Sequence, residues 1–442
     1  MKLMSWLVIL LAALLNLPPI AAQSQEFLLW PQGAPNQHGT STEDLPAITA
    51  YLPPPKQRTG AGVLVVPGGS FLIRCVDNEG VQVARWLNRH GVAAFVVRYR
   101  LLPRYTMKEE FQDVRRAMQF VRARANSFGV AENRIGIIGF SAGSRLAANV
   151  AMKPLAAKSN ADDEVERVSS RPNYLITVYA DAGQRNEAPT GLTKLFQEMN
   201  SAEDWAEATV VTEAQLAATP PTFMFCTSED GAATGMADLY GRLLKNKIPT
   251  EAHFFRNGPH GVALAPGDPV LGEWPKLMFT WMQASGYLTD APRVALRGSV
   301  QVDDKPLELG YLVLKPIDAP TAPPVTVHIA NRSGETGAFA VPVEKGPTPG
   351  RYRIEVHQQA KNWVSVFKDP VLNRLREKLS ANHPISADDQ REWLESARTK
   401  TFAPTLEDER VFSRTRPNSV STLSVEIKRQ SEQALDIKVF SR

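Results

Sequence analysis

Cysteine is nearly absent from this chain. Cys75 and Cys226 are its only two in 442 residues. That excludes a disulfide-dense scaffold and leaves no thiolate set for a finger-type zinc site. Net charge is scarce as well: 50 basic against 46 acidic residues give +4, and the surplus falls wholly from Arg293 onward. So small an excess points to no nucleic-acid partner. No apolar run reaches the ~20 residues that a membrane helix needs. H-E-x-x-H, dinucleotide-binding and P-loop fingerprints are missing, so neither metal nor cofactor is expected. What remains is a composition of 43% hydrophobic and 22% charged residues. It fits a folded globular protein and excludes disordered and collagen-like classes.

The N-terminus reads as a secretory leader. Lys2 precedes an apolar run from Leu3 to Leu15, followed by Pro18-Pro19 and Ala21-Ala22. This order of charge, short apolar core and small residues predicts a signal peptide over 1–22, cut after Ala22. The mature protein is then secreted or periplasmic. About 420 residues remain, enough for two or three domains at ~150 residues each.

Residues 23–290 alternate short apolar runs with amphipathic stretches. The runs are 62–66, 92–97, 134–138, 174–179, 222–225 and 251–255. Near-continuous apolar strands imply a mostly parallel sheet covered on both faces. Helical spacing appears at 80–89, 107–126, 236–244 and 274–283. The alternation predicts a three-layer α/β domain. Residues 291–442 change character. Short strands at 297–307, 310–314, 325–329, 338–341 and 350–356 are separated by Gly/Pro turns and predict a small β-sandwich. A helical insertion at about 363–412 precedes two closing strands at 422–427 and 434–440.

The chemistry concentrates at strand ends. Gly139-Phe140-Ser141-Ala142-Gly143 lies between a strand and a helix-compatible run, the setting that G-x-S-x-G requires. It makes Ser141 the candidate nucleophile, with the Ala142 N–H beside it at a helix N-terminus. Pro67-Gly68-Gly69-Ser70 ends the 62–66 strand and offers Gly69 or Ser70 as the second oxyanion donor. Of seven histidines, His260 stands in a loop just after a late strand, where the base of a Ser-acid-His order belongs. His253 lies within the strand as a packed residue, and His90 ends a helix as a cap. The acid follows the 222–225 strand. Asp230 is preferred, Glu229 is the runner-up and Asp181 the third choice. Cys75 and Cys226 read as a buried free pair.

These stretches together resemble a known family. Leu29-Trp30-Pro31, Pro67-Gly68-Gly69, Glu79-Gly80, Val97-Arg98-Tyr99-Arg100-Leu101, Asn133-Arg134-Ile135-Gly136, the Ser141 pentapeptide, His260-Gly261 and Trp281 are similar to secreted bacterial α/β-hydrolases of the acetylxylan-esterase-like group. The resemblance implies an α/β-hydrolase fold and a serine esterase that removes small acyl groups, often acetyl, from polysaccharides. It supports Ser141, Asp230 and His260 as the triad. The chain departs from the family at Ser70, where a third Gly is usual, at Ser144-Arg145, where Gly-His is usual, and in the Gly231-Ala232-Ala233 text after Asp230. The C-terminal part resembles carboxypeptidase-regulatory-like β-sandwich modules through Gly298-Ser299-Val300, Gly337-Ala338-Phe339 and Pro349-Gly350-Arg351-Tyr352. The expected partner is an acylated carbohydrate or small ester. The alternatives are a binding or adhesion protein with a weakened hydrolase domain, or another serine hydrolase such as a peptidase or feruloyl esterase.

Overall fold

The computed structural model describes residues 24–180, 191–330, 337–359, 370–399, 410–414 and 422–440. The expected leader at 1–22 and the third-choice acid Asp181 lie outside them. The chain divides into two compact units. One runs to Met282 and includes Tyr287–Thr289; the other comprises Gln283–Gly286 and Asp290–Arg442.

The first unit is built on an eight-stranded sheet. Its strands are β1 (Ser24–Leu28), β2 (Ala47–Tyr51), β3 (Gly62–Val66), β4 (Ala93–Arg98), β5 (Ile135–Phe140), β6 (Leu175–Val178), β7 (Thr222–Thr227) and β8 (Thr250–Phe255). Their order is β1-β2-β4-β3-β5-β6-β7-β8. β1 pairs antiparallel with β2, and β2 with β4; every other pairing is parallel. All residues of β3 and β5 are buried. Both faces of the sheet centre are therefore covered, which is why these strands read as unbroken apolar runs.

The described α-helices of five or more residues before residue 290 are α1 (Gln82–Arg89), α2 (Met107–Ala123), α3 (Ala142–Met152), α4 (Gly191–Glu198), α5 (Ala202–Thr209), α6 (Glu213–Ala217), α7 (Ala233–Lys245) and α8 (Trp274–Ala284). The helix expected from Gly80 begins instead as a π-helical turn, Asp77–Val81, that leads into α1. α2 starts with a capping box, in which Thr106 and Glu109 satisfy each other's backbone ends. Its stripe of Phe111, Val114, Met118 and Val121 is buried in the main core, as the 3.6-residue spacing requires.

The second unit contains two sheets around their own core. One joins β9 (Ala295–Val302), β10 (Lys305–Pro306), β13 (Ala338–Val341) and β17 (Glu432–Val439). The other joins β11 (Leu309–Pro316), β12 (Val325–Ala330), β14 (Gly350–Gln358), β15 (Arg410–Phe412) and β16 (Ser424–Ile427). Val300, Leu312, Leu314, Ile354, Val356 and Ile437 share one core. The turn between β9 and β10 places Asp303 and Asp304 at φ 51° and 59°, the left-handed pair of a tight hairpin. The helical insertion contains Pro370–Ser380 and Ala387–Thr399. It does not extend to 412, because Arg410–Phe412 is a strand paired with β14. The inserted residues lack an apolar period-2 pattern near 410, so that short exposed strand gave no signal.

Candidate active site

Ser141, Asp230 and His260 follow β5, β7 and β8, at the carboxyl ends of parallel strands, where crevices open in such sheets. The elbow at Ser141 is tight. Ser141 has φ 51°, and its N–H donates to Val178 O at 3.0 Å. A Cβ on Gly139 would lie 2.2 Å from Gly143 O, so no other residue fits the strand side of the turn. The helix α3 starts at Ala142.

The three side chains form one chain of hydrogen bonds. Ser141 Oγ is 2.7 Å from His260 Nε2, and His260 Nδ1 is 2.8 Å from Asp230 Oδ2. A carboxylate only accepts, so Nδ1 carries the proton and Nε2 is left to accept from the Ser141 hydroxyl. Asp230 is buried, whereas the His260 side chain is half-exposed. A second contact fixes the acid: Ala232 N–H donates to Asp230 Oδ1 at 2.8 Å.

Glu229, the runner-up acid, has a different job. Its Oε2 accepts from Gly258 N–H at 2.9 Å, while Thr227 Oγ1–H donates to Gly258 O at 2.5 Å. Together they anchor the start of the His260 loop. His90 caps α1 through its contact with Trp86 O. His253 stays in β8, against Phe223 and Glu251. Cys75 and Cys226 are both free, but only Cys226 is buried; Cys75, in the loop that follows β3, is partly exposed.

The loop after β3 folds back on itself. Gly69, Ser70 and Phe71 have φ of 128°, 56° and 62°. Gly69 O accepts from Leu72 and Ile73 N–H at 3.1 and 3.0 Å. Ser70, Ala142 and Ser141 line one cavity of about 380 Å³ with Phe71, Arg145 and Phe196. Among the described residues, none accepts from the Ser70 or Ala142 N–H. Gly68 N–H is not available, since it donates to Glu79 Oε2 at 2.8 Å. A larger cavity, about 520 Å³, lies beside Trp86 and Leu264 and contains no member of the triad.

Sequence reading gave no role to several residues of this site. Phe71 and Phe196 meet edge-to-face with centroids 5.5 Å apart and close one side of the cavity. Tyr179, one residue past β6, packs its ring against His260 with centroids 5.0 Å apart. Its hydroxyl donates to Glu79 Oε1 at 2.6 Å. Burial pushes the Glu79 carboxyl above its ordinary value, against the pull of the Tyr179 and Gly68 hydrogen bonds. Burial and the Glu79 charge push the Tyr179 phenol well up, so it remains a donor. Ser144, where the resembled family usually has Gly, is buried and donates to Ala180 O at 3.2 Å. Among the described residues no group of three or more His, Cys, Asp and Glu could hold a metal, and no helix is long and apolar enough to cross a membrane.

Comparison with known proteins bears on the fold of the first unit. Residues 63–264 match the model of a family described as having the α/β hydrolase fold. An acetylxylan esterase of Xylanibacter ruminicola is 36% identical over 107 residues, which are 24% of this chain and 22% of that protein. Endo-1,4-β-xylanase B of Butyrivibrio fibrisolvens is 28% identical over 239 residues, 52% of this chain and 36% of that one. The chain thus spans about a third or less of the length of these curated relatives. Among solved structures, an acetyl ester-xyloside bifunctional hydrolase from Caldicellulosiruptor lactoaceticus superposes with a TM-score of 0.53 at 28% identity, covering 61% of this chain and 99% of that one. By strand order, elbow and family match, the chain carries a domain of the α/β-hydrolase fold.

Proposed function

We propose that this protein is a serine carboxylic-ester hydrolase that removes small acyl groups, acetyl above all, from polysaccharides. The observation that supports this most is the unbroken Ser141–His260–Asp230 chain, 2.7 and 2.8 Å per link, beside a cavity with unengaged backbone donors. Ser141 Oγ attacks the ester carbonyl as its proton passes to His260 Nε2. Asp230 holds the imidazole in the required tautomer and stabilises the cation that forms. The Ala142 N–H, with Gly69 or Ser70, receives the oxyanion; one such donor is worth about 3 kcal/mol in the transition state. The alcohol leaves with the proton from His260, and water activated by His260 then frees the acyl group. The relatives' names support xylan-type esters, because an acetylxylan esterase and a xyloside-acting acetyl ester hydrolase are among them.

Ser141→Ala should lower kcat on an aryl acetate about 10⁴-fold; retention of most activity overturns the reading. Acetate release from acetylated xylan, mannan and algal glycans identifies the substrate. The departures at Ser144 and Arg145 favour a second reading, a binding protein with a weakened site. A fluorophosphonate probe separates the two, since only an active esterase is labelled at Ser141. We also read residues 1–22 as a cleaved leader and the two-sheet unit as a non-catalytic module. N-terminal sequencing of the mature protein tests the leader, and kinetics of residues 23–290 alone test the module.

A further inference from the structure

We propose that Glu79 is a positioning residue that holds the oxyanion loop and the His260 loop in one register, a role that rests on the ester-hydrolase reading above. Glu79 lies in the π-helical turn between the oxyanion loop and α1. Such single turns occur often at functional sites. Its side chain is almost fully buried, with 3% of the residue exposed. Each carboxylate oxygen takes a donor from a different element. Oε2 accepts from Gly68 N–H at 2.8 Å, and Oε1 accepts from the Tyr179 hydroxyl at 2.6 Å.

Both donors lead to the reacting groups. Gly68 immediately precedes Gly69 and Ser70, the loop donors. A Cβ on Gly68 would come 2.8 Å from Glu79 Oε2 and 2.8 Å from Ser141 Cβ. Gly68 is therefore pressed between Glu79 and the nucleophile with no slack. Tyr179 carries the constraint the other way. Its ring packs on His260 at an interplanar angle of 65°, and its hydroxyl oxygen accepts from Ala263 N–H at 3.2 Å. One buried carboxylate thus reaches the oxyanion loop directly and the base loop through one phenol. A second tie lies beside it, where the Tyr99 hydroxyl donates to Pro67 O at 2.8 Å.

A carboxylate suits position 79 best. Both of its partners are donors, so both of its oxygens must accept. A glutamine of the same shape accepts at one end and presents N–H to a donor at the other. Glu79→Gln therefore weakens one arm of the clamp, because the Tyr179 hydroxyl must turn to accept from the amide and loses its charged acceptor, while the volume is unchanged. Tyr179→Phe breaks the same connection from the far side and keeps the ring on His260.

The test uses the full chain, with both single variants and the double. Each single should lower kcat on an aryl acetate about 10- to 100-fold, at or below the loss of a whole oxyanion donor. KM should stay within about threefold and Tm within about 5 °C. The double variant should be no worse than the poorer single, because both act on one connection. Amide exchange in Glu79→Gln should accelerate in both 67–73 and 258–265 and nowhere else. If kcat stays within twofold in both singles, or the losses multiply, or exchange changes only in 67–73, the clamp is refuted. Should Glu79→Gln fail to fold, Tyr179→Phe carries the kinetic test, with faster exchange expected in 258–265. If the wild type neither hydrolyses the acetate nor takes a fluorophosphonate, the ester-hydrolase reading falls, and the exchange pattern still decides the coupling.

Discussion

Adding one methyl group at Gly143 should nearly abolish turnover. Gly143 is the second residue of α3, and its backbone passes directly over the end of β3. A Cβ there would lie 2.1 Å from Val66 O and 2.5 Å from Pro67 O. Both are backbone atoms and cannot rotate aside. Real Cβ contacts essentially never fall below 3.0 Å, so a shift of roughly 1 Å is forced between the nucleophile turn and the oxyanion loop. Val66 pairs in register with Gly139 of the elbow strand, which leaves no rigid-body route that spares both. A misplacement of about 1 Å costs about 10²-fold in rate, and overpacking of this kind costs about 1–3 kcal/mol. Steady-state kinetics on p-nitrophenyl acetate and a thermal melt measure the two effects. Gly241→Ala is the control, since a Cβ at that position in α7 meets nothing within 4 Å. It should leave kcat unchanged and raise stability by about 0.5–1 kcal/mol. If Gly143→Ala keeps activity within twofold at the wild-type Tm, the reasoning from backbone proximity is wrong.

Two further outcomes follow from the same geometry. Asp230→Asn should lower kcat about 10⁴-fold by permitting the wrong imidazole tautomer while the melt stays near wild type; a loss under tenfold would return Glu229 to candidacy. Asp44 accepts from Arg104, Ser41 and Tyr105, and these bonds hold its carboxyl far below the usual range. Its folded-state value is depressed, so its contribution is full above the ordinary ~3.9 and is lost as pH falls below it. The Tm of Asp44→Asn should therefore fall less steeply than that of wild type between about pH 4 and 2, and parallel slopes would refute the assignment.

The central strands were readable because burial on both faces leaves no polar alternation to interpret. β1 and β2 were not: β1 is Ser-Gln-Glu-Phe-Leu, an exposed edge, and nothing in its apolar content marks a strand. The helices α4 to α6 were also silent. α5 buries no residue fully, so it has no apolar stripe to detect. The hydrogen-bonded cluster of Ser141, His260 and Asp230 was legible because G-x-S-x-G and strand-end placement constrain it locally. The choice between Glu229 and Asp230 was not, since adjacent carboxylates differ only in which way the turn after β7 aims them. Glu79 and Tyr179 stand 100 residues apart, and no local pattern reports that pairing.

The site also stores backbone strain that a sequence hides, because it falls on residues other than glycine. Ser70, Phe71, Ser141, Tyr179, Ala263 and Ala265 all have positive φ, between 41° and 62°, a conformation costing about 1–2 kcal/mol for an L-residue. Most are held by their surroundings. Tyr179 N–H donates to Phe225 O, Trp274 Nε1–H donates to Ala263 O at 2.9 Å, and Phe71 is buried against Phe196. Ser70 is the exception that can be released. Its side chain is exposed, and at φ 56° it occupies the place where the resembled family usually has a third glycine. The backbone conformation explains that preference, since glycine meets no Cβ penalty there. Ser70→Gly should therefore stabilise the fold by about 0.5–1 kcal/mol, raising Tm by about 1–4 °C. Turnover should stay within about threefold, because the substitution leaves the backbone donor in place. A lower Tm would show that the left-handed turn is not strained at Ser70. A large loss of kcat at higher Tm would show that the hydroxyl, and not only the N–H, serves the reaction.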